Sequence, residues 1–229
     1  MPTTSTTGGD ADYQNSASQL NISWSGSDGG SGISIYEYAL GTTSGGTQAI
    51  SWTSAGTATA DTLTSLSLTE GSTYYLSVRA TDVAGNVSSV STGDGIYIDL
   101  TNPVAGSAID GTSADLSYTA ANNTLGFTWS GFSDAHSGIT SYKAAIEDAA
   151  GNSVVAWTDV GNVSTWTATG LSLSSGTTYK GIIRAVDAAG NLSSNVSTNG
   201  IAVDTDGPIV GYVVAVSYTH LTLPTKREV

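Results

Sequence analysis

The chain contains no cysteine and a single methionine among its 229 residues. Without thiols there is no disulfide framework, no thiolate zinc site and no cysteine nucleophile. Basic residues are scarce too: 6 Lys and Arg stand against 19 Asp and Glu, for a formal net charge of −13. A nucleic-acid binder needs a positive footprint, and this chain would repel phosphate. Charged residues of both signs make up only 11% of the sequence, against about a quarter in ordinary globular proteins. No apolar run approaches the roughly 18 residues needed to span a bilayer. The opening Met1-Pro2-Thr3-Thr4-Ser5 has no basic segment leading into an apolar run. It does not read as a secretory leader, so the chain is cytoplasmic or its true start is missing. What is plentiful is glycine, at 28 residues, and hydrophobic residues, at 39%. That content is too high for simple disorder and predicts a packed fold.

The sequence repeats itself. Trp24 and Trp129, Trp52 and Trp157, Leu68 and Leu173, Tyr74 and Tyr179, Arg79 and Arg184, Asp99 and Asp204, and Pro103 and Pro208 are each 105 residues apart. The segment from Tyr74 through Asp82 to Asn86 returns from Tyr179 through Asp187 to Asn191. A period near 100 is too long for a solenoid repeat and matches a small free-standing domain. The expected units are 2–102 and 103–207, with 208–215 as the start of a truncated third. The last stretch, 216–229, breaks the composition: it holds Lys226, Arg227, His220 and Pro224. It resembles the translated read-through of a sequencing-library adapter, the alternative being a genuine basic tail. Read as a non-native tail it is set aside from the fold, and the reading frame is then a fragment.

Within each unit the hydrophobic period is two. Leu20, Ile22 and Trp24 alternate with polar residues, as do Leu125, Phe127 and Trp129. Tyr36, Tyr38 and Leu40 fall on one face, matched by Tyr142, Ala144 and Ile146. Runs rich in Thr, Val, Ile and Tyr, separated by Gly, Asn, Asp and Ser clusters, predict half-buried antiparallel strands and tight turns. About seven strands per hundred residues predict a two-sheet sandwich with Trp24 and Trp129 in the core. Tyr74 and Tyr179, each just after a crossover, are expected to hydrogen-bond back to it.

These residues resemble the fibronectin type III family, in the variety found in long bacterial secreted and cell-surface proteins. The resemblance rests on Trp24, Tyr36 with Tyr38, the Leu68–Tyr74 crossover and Val78-Arg79-Ala80. In the second copy it rests on Trp129, Tyr142, Leu173–Tyr179 and Ile183-Arg184-Ala185. Bacterial immunoglobulin-like repeats share the Asp-x-Ala-Gly-Asn turn. Glu70, and Ser175 in the second unit, depart from the family's usual proline. The implied fold is all-β: two tandem seven-stranded Ig-like or fibronectin type III sandwiches with the start of a third.

For chemistry, the candidates are few. His136 is the one histidine before residue 216 and reads as a solvated loop residue rather than part of a triad. Acids that recur in both units read as turn formers rather than glycosidase carboxylates. No catalytic residues are assigned, and the chain is read as not an enzyme. Calcium is the stronger candidate, because clustered Asp and Asn supply hard oxygen ligands. In the implied fold, the end of one unit's last strand meets loops of the next. That places Asp99 and Asn102 near Asp134, Asp187 and Asn191 as a junction site, the alternative being ordinary turn chemistry. Trp52 and Trp157 are candidate ligand-binding residues: exposed they would stack on sugar rings, buried they would cap the core.

The expected role is a non-catalytic extracellular spacer or adhesion module of a larger multidomain secreted or cell-surface protein. Its partners would be neighbouring domains of the same chain and surface glycans or proteins, with no nucleic acid. The alternative is a carbohydrate- or protein-binding accessory module of a secreted polysaccharide-degrading enzyme.

Overall fold

The alternation is realised as strands. The computed structural model describes residues 3–4 and 10–215, and every regular element among them is β. The segment 216–229 lies outside the described residues. The first unit runs β1 (Thr3–Thr4), β2 (Tyr13–Gln14), β3 (Gln19–Ser23), β4 (Ile33–Gly41), β5 (Ile50–Gly56), β6 (Ala60–Thr64), β7 (Thr73–Asp82), β8 (Ser91–Thr92) and β9 (Ile96–Ile98). The second runs β10 (Ser107–Asp110), β11 (Tyr118–Thr119), β12 (Thr124–Ser130), β13 (Ile139–Asp148), β14 (Ser153–Gly161), β15 (Thr165–Thr169), β16 (Thr178–Asp187), β17 (Val196–Ser197) and β18 (Ile201–Val203).

Both units have one topology. A three-stranded sheet, β1-β3-β6, faces a second sheet of order β2-β9-β7-β4-β5, with β8 also on β7. The copy is β10-β12-β15 facing β11-β18-β16-β13-β14, with β17 on β16. The first strand changes sheets part-way, so β2 pairs parallel with β9, and β11 with β18. The last strand breaks at Gly95 and Gly200, whose φ angles of 105° and 109° demand glycine. Nine segments therefore trace the seven strands of an Ig-like or fibronectin type III sandwich. Residues 208–215 form no strand and are exposed.

Each sandwich closes its own core. Leu20, Ile22, Trp24, Tyr36, Tyr38, Leu40, Leu76 and Ile98 pack together in the first, and Leu125, Phe127, Trp129, Ile146, Ile183 and Val203 in the second. Trp24 is 5% exposed and Trp129 2%. The corner tyrosines form the expected bond: Thr69 N–H donates to the Tyr74 hydroxyl at 3.0 Å, and Ser174 N–H to that of Tyr179 at 2.9 Å.

The two cores solve one volume problem differently. Ile22 and Leu76 share the first core, and at the equivalent positions of the second Phe127 meets Gly181 across the sandwich. A Cβ on Gly181 would sit 2.5 Å from the Phe127 ring, so the larger residue on one sheet requires glycine on the other.

Candidate functional site at the junction between units

Aspartates in turns bond their own backbone, and the structure shows how far that accounts for this chain. In the β7–β8 turn, Asn86 donates its N–H to Asp82 Oδ1 at 2.7 Å and its carboxamide to Oδ2 at 2.8 Å. The Asp187–Asn191 turn repeats this at 2.8 and 2.9 Å. The β13–β14 hairpin does so again, with Asp148 and Asn152 at 2.9 and 2.8 Å. This third copy, Asp148-Ala-Ala-Gly-Asn152, is the same pentapeptide as Asp187–Asn191, and its sequence was signal enough to find it. The Asn side chain is the first cause holding the Asp82 and Asp148 carboxyls below the usual carboxylate range.

Only one of these turns meets another unit. Asp99, just past β9, is 0% exposed and Asp187, at the end of β16, is 2% exposed. The Asn191 carboxamide donates to the backbone carbonyl of Asp99 at 3.0 Å while keeping its bond to Asp187. Ser137, in the loop after β12, donates its N–H to Asp99 Oδ2 at 3.0 Å, and Thr101 N–H reaches Oδ1 at 3.0 Å. In that same loop, Asp134 Oδ2 accepts the N–H groups of His136 at 3.0 Å and Gly138 at 2.8 Å. Burial alone would raise the Asp134 carboxyl, but donors from Gly138, His136, Ser137 and Ala135 outweigh it and hold its pKa below the usual range.

The result is a trio of carboxylates from both units. Asp99, Asp134 and Asp187 each present an oxygen, and the three lie within 4.8 Å of one another. Asp134 Oδ1 is buried and, among the described residues, has no hydrogen-bond partner. Turn chemistry explains the Asp187–Asn191 bonds, because the two exposed copies make them too. It does not explain that orphaned oxygen or the crowding of three anions. Oxygens on opposite sides of a calcium ion bound at about 2.4 Å are about 4.8 Å apart, so the spacing fits a hard divalent cation. A polar cleft of about 640 Å³, lined by Asp12, Gln14, Asn15, Thr140, Asp187 and Gly190 among others, opens beside Asp187.

Of the sequence candidates, Asp99, Asp134, Asp187 and Asn191 thus come together. Asn102 is exposed in the linker, and no side-chain hydrogen bond ties it to a described residue. The junction also uses residues that sequence reading left aside. The Tyr97 hydroxyl lies 3.0 Å from His136 Nδ1, and His136 Nε2 is 3.7 Å from Glu70 Oε1. Thr101 Oγ1 donates to that same Glu70 oxygen. His136 therefore faces a tyrosine and a glutamate of the preceding unit, and Glu70, the departure from proline, reaches across to it.

Trp52 and Trp157 lie on the outward face of the larger sheet rather than in either core. Each is covered by an arginine: the Arg79 guanidinium carbon stands 4.5 Å from the Trp52 ring centroid, and that of Arg184 4.2 Å from Trp157.

No family model matches the chain. It is 28% identical over 196 residues to Exoglucanase B of Cellulomonas fimi, covering 83% of this chain and 16% of that protein. The chain thus spans about a sixth of the length of that relative. Among solved structures it is similar to the FN1–FN3 domains of chicken CNTN1, with a TM-score of 0.49, 14% identity, and coverage of 85% of this chain and 65% of that one. It is also similar to domains A168–A170 of titin, with a TM-score of 0.47, 16% identity, and coverage of 85% and 62%.

Proposed function

We propose that the chain is a non-catalytic spacer from a larger extracellular protein, built of fibronectin type III-like units 2–102 and 103–207, whose junction is stiffened by a calcium ion held by Asp99, Asp134 and Asp187. The observation that carries this is the trio, with buried Asp99 from the first unit and buried Asp187 and half-buried Asp134 from the second. A flexible tether would have no reason to bury Asp99 against the loops of its neighbour.

The two halves of the junction are present on every unit. Asp28 Oδ2 accepts the N–H groups of Gly30 at 3.0 Å and Gly32 at 2.8 Å, as Asp134 does for its own loop. Asp82 and Asn86 mirror Asp187 and Asn191. At the far end Asp206 N–H donates to Asp204 Oδ1 at 3.1 Å, as Thr101 does to Asp99. Each unit thus offers a receiving end and a donating end, the arrangement a head-to-tail array requires. Residues 208–215 are read as the opening of the next unit. The strongly acidic surface keeps neighbouring arrays apart. Among the described residues no helix is long and apolar enough to cross a membrane.

The similarity to an exoglucanase favours one setting, an accessory segment of a polysaccharide-degrading enzyme outside the cell. The test is thermal unfolding of the chain with calcium and with EDTA. Calcium is expected to raise the melting temperature, and Asp99→Asn with Asp187→Asn to abolish the rise. Identical curves with calcium and EDTA would sink the cation, and the spacer reading with it if the units also tumble independently.

A further inference from the structure

We propose that the outward face of the second unit's larger sheet binds a carboxylate-bearing polysaccharide, gripped by Arg184, Lys143 and Lys180 beside Trp157. This stands independently of the junction. Four of the six basic residues lie among the described residues: Arg79, Lys143, Lys180 and Arg184. Three of them occupy this one face, on β13 and β16.

The repeat supplies the internal comparison. In the first unit Arg79 lies over Trp52 and its Nε donates to Glu37 Oε2 at 2.8 Å. Glu37 is the cross-strand partner of Arg79 in the β4–β7 register. In the second unit the stack is kept, with Arg184 over Trp157, but the cross-strand partner is Lys143. An ammonium stands where the carboxylate was. Arg184 Nε is buried and, among the described residues, has no hydrogen-bond partner and Arg184 no salt bridge. A buried donor without an acceptor is costly, and a guanidinium fork is shaped for a carboxylate. The partner this pair calls for has the chemistry of the Glu37 side chain: a carboxylate shared by Arg184 and Lys143.

The surroundings favour a sugar acid. Trp157 is 38% exposed and offers an aromatic surface at the edge of the fork. Lys180 replaces Tyr75 of the first unit and lies four residues from Arg184 on β16, about 13 Å along the strand. The face therefore presents a row of cations beside an indole, suited to an extended chain with regularly spaced carboxylates. The acids nearest in register are Glu147 opposite Lys180 and Asp159 opposite Lys143. Asp159 is already engaged by Ser141 and Gly161, and neither acid forms an ion pair with these cations.

The test is calorimetric titration of the whole chain with hexagalacturonate, cellohexaose and polyglutamate at low and high salt. Hexagalacturonate is expected to bind, with weakening at high salt, and cellohexaose to be ignored. Lys143→Glu rebuilds the first unit's ion pair; it should weaken binding by about tenfold or more while the protein melts no lower than the unaltered chain. The converse change, Glu37→Lys, should open a second fork and add a second site. Unchanged affinity in Lys143→Glu, or no binding of hexagalacturonate at all, would overturn the proposal. Polyglutamate binding as tightly as the uronate would overturn the assignment to a glycan.

Discussion

The core of the second unit makes a prediction that the first unit calibrates. Gly181 and Phe127 face each other across the sandwich at the positions that Leu76 and Ile22 hold in the first core. Gly181→Leu forces a side chain onto a ring that a Cβ alone would approach to 2.5 Å. Phe127 is fully buried and cannot swing out, so the cost is about 3 kcal/mol. Phe127→Ile leaves an unfilled space beside Gly181 and removes the ring stacked on Trp166 at 6.2 Å, costing about 2 kcal/mol. Made together, the two changes recreate the pair found in the first unit, and the leucine fills the space left by the ring. The double variant should be destabilised by only about 2 kcal/mol, a coupling of about 3 kcal/mol. Urea unfolding followed by tryptophan fluorescence reads all three variants. A double variant as unstable as the two single changes added together would refute the volume exchange.

Other predictions concern single bonds and titrating groups. Tyr74→Phe removes the acceptor of the Thr69 N–H and should cost about 1–3 kcal/mol by denaturant unfolding; no loss would mean that the corner bond is not formed in solution. The Tyr38 hydroxyl is pushed up to about 12, first by burial and then by its 2.7 Å bond to Asp61, so Asp61→Ala should lower its ultraviolet titration midpoint. An unmoved midpoint would count against that bond. Asp134 and Asp110 should act on acid stability with opposite sign. Asp134 is held below the ordinary 3.8, so its stabilisation is present above that value and lost as pH falls through its folded pKa. Asp110 is raised by burial despite bonds from Thr198 and Gly200, so its contribution is fullest at low pH and declines as pH rises above 3.8. In EDTA, Asp134→Asn should therefore flatten the acid limb of a melting-temperature profile, and Asp110→Asn the segment above it; the reverse pattern would contradict both assignments.

Much of the fold was legible because strand alternation is a local signal. Tyr36, Tyr38 and Leu40 point inward as their spacing requires, and the repeat, offset here by 106 residues, carries that reading to Tyr142, Ala144 and Ile146. Leu68 lies in the crossover between β6 and β7, as the sequence reading of Leu68–Tyr74 requires, and it is buried there. The gathering of Asp99, Asp134 and Asp187 followed from which ends of a sandwich meet in tandem. The roles of Glu70, Tyr97 and Ser137 did not, since contacts across a junction depend on the angle between units, which no periodicity encodes. The exchange of Glu37 for Lys143 was visible in the aligned repeats, but its meaning needed the register that sets each opposite its arginine.

The proposed head-to-tail lock between the two sandwiches runs through the carboxylates of Asp99, Asp134 and Asp187. Its most direct test is the relative orientation of the units in solution, measured by residual dipolar couplings with calcium and after its removal. One alignment tensor shared by both units is expected when calcium is bound, and two separate tensors after chelation or in Asp99→Asn. Two independent tensors in saturating calcium would contradict it.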